Sequence, residues 1–143
     1  MNDTRNELEQ IINRIAWCCD HEEGRGASVF FTEDAVMELN GENFARGRES
    51  IDRIHRFNEG TEFTARHIYT NLLLLEETSQ SAKATNMVMA FLAYGPGPHP
   101  ATPAIVADIT YEFVRESDGA WRIANRSARF SFGGPPARRA PTS

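Results

Sequence analysis

The chain is predicted to fold as α+β, with N-terminal helices packed on a curved, mostly antiparallel sheet, and three observations carry that prediction. Apolar residues recur at helical spacing in the first third; residues 63–132 read as four long extended segments joined by turns; and nothing alternates as strand–helix–strand units would. Helices followed by a run of strands bury their apolar stripes most simply by lying on one face of a sheet that curls around them.

Residues 4 to about 20 place Leu8, Ile11, Ile12, Ile15, Ala16 and Cys19 on one side of a helix, with polar residues opposite. Gly24 and Gly26 break that pattern, and a short helical piece over 27–31 is expected before a first strand at 35–39. Asn40 and Gly41 supply the pair that a tight hairpin turn prefers, leading into a short strand at 44–46. A second helix is expected from about 49 to 57, with Ile51, Ile54, His55 and Phe57 as its apolar stripe and Gly60 as its stop. Four strands follow, at about 63–76, 82–94, 103–116 and 120–132, separated by 77–81, by the Pro/Gly-rich segment GPGPHPATP and by SDG. Residues 1–132 form one domain in this reading, and the Pro-, Gly- and charge-rich 133–143 read as a disordered tail.

A length of 143 residues suits one domain with a real core, and 41% hydrophobic residues without an apolar run of about 20 argues against a membrane span. The formal charge of −5, with arginines scattered, leaves no footprint for a phosphate backbone, so nucleic acid is not an expected partner. The polar, acidic start MNDTRNELEQ lacks a secretory pattern, and a cytoplasmic location is expected. Adjacent Cys18 and Cys19 suit neither a disulfide nor a chelate and read as small hydrophobes. No Gly-rich phosphate loop or nucleophile elbow is present, HEE at 21–23 lacks the second histidine of a helical zinc site, and no cofactor or metal is expected.

The stretch TARHIYTNLLLL, 64–75, is otherwise built for a core, yet period-two alternation gives His67, Tyr69 and Asn71 one shared face. Three hydrogen-bonding side chains on one face need a reason that a plain core does not supply. His55 reads as a core or rim histidine, His99 as a loop residue between prolines, and Met87, Met89 and Phe91 as core or pocket wall.

The element order, together with FFTEDAVMEL, ARHIYTN and AWRIANR, resembles the SnoaL-like family of the nuclear transport factor 2-like superfamily, the group containing scytalone dehydratase, bile-acid 7α-dehydratase and hexachlorocyclohexane dehydrochlorinase. The resemblance spans roughly residues 4–132 and implies a cone in which sheet and helices enclose a pocket. It also implies a dyad: Asp20, closing IAWCCD, orienting His67, the general base. A carboxylate on one ring nitrogen fixes the imidazole and stabilises the cation formed when the other nitrogen takes a proton. Tyr69 and Asn71 are expected to face the substrate, as is Arg126, or Asn125 if the register of the last strand is shifted by one residue. Two departures stand out: Cys19 precedes Asp20 where scytalone dehydratase has a tyrosine, and ATNMVMAFLAY holds no second histidine. Ile15 and Ala16 stand where the dehydrochlorinase has a lysine, so neither of those two substrates is expected.

The expected activity is therefore a cofactor-independent lyase or isomerase eliminating water or another small group from a small, largely apolar substrate. The alternative is a non-catalytic member that binds a small molecule or serves as an assembly scaffold, like the β subunits of aromatic-ring dioxygenases; those are longer at the N-terminus. Strands apolar on both faces, such as AIVADITYEFV, lead to the expectation of a homo-oligomer, dimer or trimer.

Overall fold

In the computed structural model, residues 3–134 are described. Helix α1 (Thr4–His21) is followed by a single 3-10 turn (Ala27–Phe30), strands β1 (Phe31–Leu39) and β2 (Glu42–Arg46), helix α2 (Arg48–His55), and strands β3 (Phe63–Glu77), β4 (Ser81–Tyr94), β5 (Ile105–Arg115) and β6 (Trp121–Gly133). The six strands form one unclosed sheet in the order β2-β1-β6-β5-β4-β3, antiparallel throughout except for the β1–β6 pair. The final residues of the expected tail, 135–143, lie outside the described ones.

Each element follows from its side chains. Leu8, Ile12 and Ile15 give α1 a buried stripe, and together with Phe31, Ile51, Ile109, Tyr111, Phe113 and Ile123 they make one continuous core. Truncating any of these aliphatic side chains to alanine costs about 2–5 kcal/mol, because the cavity left behind closes only in part. Asn40 and Gly41 both take positive φ, 51° and 87°, as the two-residue turn between β1 and β2 requires. Among the described residues, no helix is long and apolar enough to cross a membrane.

Two expectations on element limits and one on strand alternation are corrected. Strand β1 starts at Phe31 rather than 35, since Phe31 is fully buried and pairs with Ile123. Helix α2 ends at His55 rather than 57. Beyond it the chain turns through Arg56, whose guanidinium donates to both carboxylate oxygens of Glu59, and Phe57 is 78% exposed instead of joining the apolar stripe. Strand β3 contains a bulge between Thr70 and Leu73, with Asn71 at φ 63°. The alternation therefore slips there: Leu72 and Leu74 pack inward, while Asn71 is exposed and leaves the face of His67 and Tyr69.

Candidate active site

The concave face of the sheet is read by following paired residues across it. The row Ala84, Tyr111, Arg126, Met37 crosses β4, β5, β6 and β1, and its members point inward. A bulge between Glu112 and Phe113 settles the neighbouring position: Asn125 pairs with Glu112 on the outer face and donates to Glu38 at 3.3 Å, leaving Arg126 as the inward residue.

Asp20 and His67 meet across 47 positions of sequence. The last turn of α1 lies over β3, where Asp20 Oδ1 stands 2.6 Å from His67 Nδ1, and Asp20 Oδ2 accepts the His67 backbone N–H at 2.9 Å. Both carboxylate oxygens are thus committed to one residue, and the side chain is only 8% exposed. Arg66 also donates to the Asp20 carbonyl at 3.3 Å, holding that turn against the strand. A carboxylate near a helix C-terminus opposes the helix dipole; two hydrogen bonds to β3 offset that cost. Because Nδ1 faces a carboxylate, it carries the ring proton. Nε2 is then a bare lone pair without a hydrogen bond among the described residues.

His67 lines a cavity of about 540 Å³ together with Asp20, His55, Ile54, Phe63 and Leu92, among others, and Nε2 is the ring nitrogen that Asp20 leaves free. Tyr69 stacks near His67, ring centroids 6.3 Å apart. Its oxygen accepts from Arg126 Nη2 at 3.1 Å, which leaves the phenolic proton free to donate. Tyr69 and Asn71 border a separate crevice of about 360 Å³ against α1, which also holds Asn86. Arg126 has no carboxylate within salt-bridge distance among the described residues. Burial opposes its charge, but Tyr69 and Tyr111 hold the guanidinium pKa above its ordinary value, so it is a cation at every working pH.

Residues missed by the sequence reading complete the site. Asn86 and Tyr111 are buried on the inner face, where Asn86 and Arg126 stand close enough to the Tyr111 hydroxyl to favour its ionised form; burial outweighs them and raises the Tyr111 pKa, keeping it a protonated donor. Burial, reinforced by Asp20, pushes the Cys19 thiol up to about 12, so it stays protonated at neutral pH and is no nucleophile. His55 lines the same cavity as His67. Period-two alternation on β4 and β5 marks Asn86 and Tyr111 as inward positions once the inner face is known; nothing local marks His55. Among the described residues, no three His, Cys, Asp or Glu side chains gather as a metal site.

Two helices capping an unclosed, curved sheet around a polar-floored cavity define a nuclear transport factor 2-like cone, the class also formed by an NTF2-like protein with a cystatin-like fold from Novosphingobium aromaticivorans. The chain belongs to the SnoaL-like domain family, whose model matches residues 2–127. Its fold is similar to that of a candidate scytalone dehydratase from Novosphingobium aromaticivorans, with TM-score 0.76 and 16% identity over 94% of this chain and 93% of that one. It is likewise similar to ActVI-ORFA from Streptomyces coelicolor, with TM-score 0.76 and 18% identity over 90% of this chain and 98% of that one. A Catenulispora acidiphila protein solved in complex with S-DNPA gives TM-score 0.64 and 24% identity over 87% of this chain and 91% of that one. No curated protein matches the sequence.

Proposed function

We propose that this protein is a cofactor-independent lyase or isomerase in which His67 removes a proton from carbon next to an activating group of a small, largely apolar substrate. The observation that carries this reading is the bare Nε2 of His67 in the cavity, with Nδ1 tied to Asp20 at 2.6 Å. The C–H electron pair moves toward the activating group, the proton goes to Nε2, and the resulting imidazolium returns it to a leaving hydroxyl, so that water departs and nothing is oxidised. Tyr69, made a stronger donor by Arg126, is the hydrogen-bond group next along the same face. Asn71 and Asn125 stand on exposed and outer-face positions, outside the lining of the cavity that holds His67.

The family contains dehydratase-like enzymes and polyketide cyclases, and a relative in fold takes S-DNPA; both support a small-molecule pocket. We further propose that the outer sheet face is covered by a second copy. Ile68, Met89, Val106 and Phe132 pair in one row across it, and Ile68 and Phe132 are 47% and 70% exposed.

The test is deuterium uptake. A panel of cyclic ketones and enones in D2O, followed by proton NMR, is expected to exchange at the carbon beside the carbonyl faster with protein than without. His67→Gln is expected to lose a factor of about 10² to 10⁴ of that excess, the range a positioned base contributes. Equal exchange by native protein and His67→Gln contradicts the proposal, and tight binding with no exchange selects the binding-module reading.

A further inference from the structure

The second imidazole of the cavity has no part in the dyad. His55 closes α2, and its ring lies against Phe31 with centroids 5.5 Å apart at 46°. Its backbone is held as tightly: a Cβ on Gly24, which sits at φ +82°, would stand 1.9 Å from the His55 carbonyl oxygen. The position is fixed by two other elements, as a group meant to hold one orientation would be.

Its hydrogen bonding is unfinished. Nδ1 is sealed from solvent with no partner, and neither ring nitrogen has a hydrogen bond among the described residues. A core histidine in a purely structural role finds partners, because an unsatisfied buried polar atom costs about 1–3 kcal/mol. A buried N–H without an acceptor is rarer than a buried lone pair without a donor, so the ring proton belongs on Nε2, the nitrogen that is not sealed. The charges that act on the ring are those of Arg126 on β6, His67 on β3 and Asp52 on its own helix. Burial, then the charge on Arg126, push the imidazole down to about 4, with Asp52 opposing and His67 adding, so it is neutral at neutral pH.

From this arrangement we infer that His55 and His67 act as a donor–acceptor pair on one substrate, His55 Nε2–H holding the carbonyl oxygen of a ketone or enone while His67 Nε2 takes the proton from the adjacent carbon. The inference rests on the proposed proton abstraction and adds the residue that meets the activating carbonyl. As the C–H bond breaks, its electron pair makes the enolate, whose oxygen gains charge against the His55 N–H. A neutral imidazole suits that role, since it donates a hydrogen bond without itself losing a charge to solvent or competing as a base.

The probe is 4-nitrophenol, whose phenolate oxygen has the charge and geometry of an enolate oxygen, added to protein labelled with nitrogen-15 in its histidines. The expected result has three parts: His55 shows the Nε2–H tautomer, neutral from pH 6 to 8; its ring resonances move on 4-nitrophenol binding; and His55→Phe weakens that binding about tenfold, while His55→Gln, which keeps an N–H donor, weakens it less. Chemical shifts of His67 that stay unchanged in both variants show that the fold and the dyad are intact. An Nδ1–H tautomer for His55, no binding of 4-nitrophenol by the native protein, or equal binding by native protein and His55→Phe overturns the inference. Failure of the dyad instead appears as a His67 ring indifferent to Asp20, a readout that does not involve His55.

Discussion

At the scale of single residues, the environment of each imidazole decides its chemistry. His67 has a carboxylate on Nδ1 and Nε2 left free; His55 has burial and Arg126 against it. The second makes a stability prediction with a definite sign. Folded His55 titrates near 4 and an unfolded histidine near 6.5, so between those values the unfolded chain binds more protons. Stability is therefore lost as pH falls from about 6.5 to 4, by up to about 3 kcal/mol, and is level below that for this group. Urea unfolding across that range is expected to show the loss in native protein and a shallower one in His55→Phe. His67 was legible in sequence from strand alternation and from the family resemblance, whereas Asp20, on a helix, was reached through the resemblance alone. His55 was not legible: helical periodicity placed it on the apolar side of α2, and the Phe31 ring, the close Gly24 backbone and the charge of Arg126 that distinguish it come from other elements.

At the scale of elements, turns and bulges govern where the site residues point. The long strands, the amphipathic α1 and the Asn40–Gly41 turn were readable because each depends on local periodicity or local φ. The two bulges were not, since an extra residue is set by pairing with the neighbouring strand: one carried Asn71 off the His67 face, the other decided between Asn125 and Arg126. Two substitutions test these joints. Asn71→Gly is expected to leave thermal stability within about 0.5 kcal/mol of native, whereas Asn71→Val is expected to lose about 1–2 kcal/mol, because a β-branched residue is strained at positive φ. Gly24→Ala is expected to destabilise by at least about 2 kcal/mol and to move the His55 ring resonances, since the added methyl meets the His55 carbonyl oxygen.

At the scale of the whole molecule, α1 lies against the inner face of the sheet, while the outer face carries one apolar row beside exposed Asp108, Thr110 and Glu112, so β5 is apolar on one face rather than on both. The α+β cone was legible from element order, but the outer row Ile68, Met89, Val106, Phe132 becomes visible only through the pairing of β3 to β6. If a second copy covers that row, Ile68→Glu is expected to halve the mass seen in light scattering after size exclusion, or to reduce it to a third for a trimer, while leaving the His67 resonances in place. An unchanged mass would put the interface elsewhere or show a monomer.

The central claim is that Asp20 holds the His67 ring with Nε2 bare. Nitrogen-15 spectra of the His67 ring in native protein and in Asp20→Asn test it without any substrate. The expected result is a single Nδ1–H tautomer with an unprotonated Nε2 in native protein at pH 8, and a mixture of tautomers in Asp20→Asn. A native ring carrying its proton on Nε2, or a ring unaffected by the substitution, would contradict the dyad and the chemistry built on it.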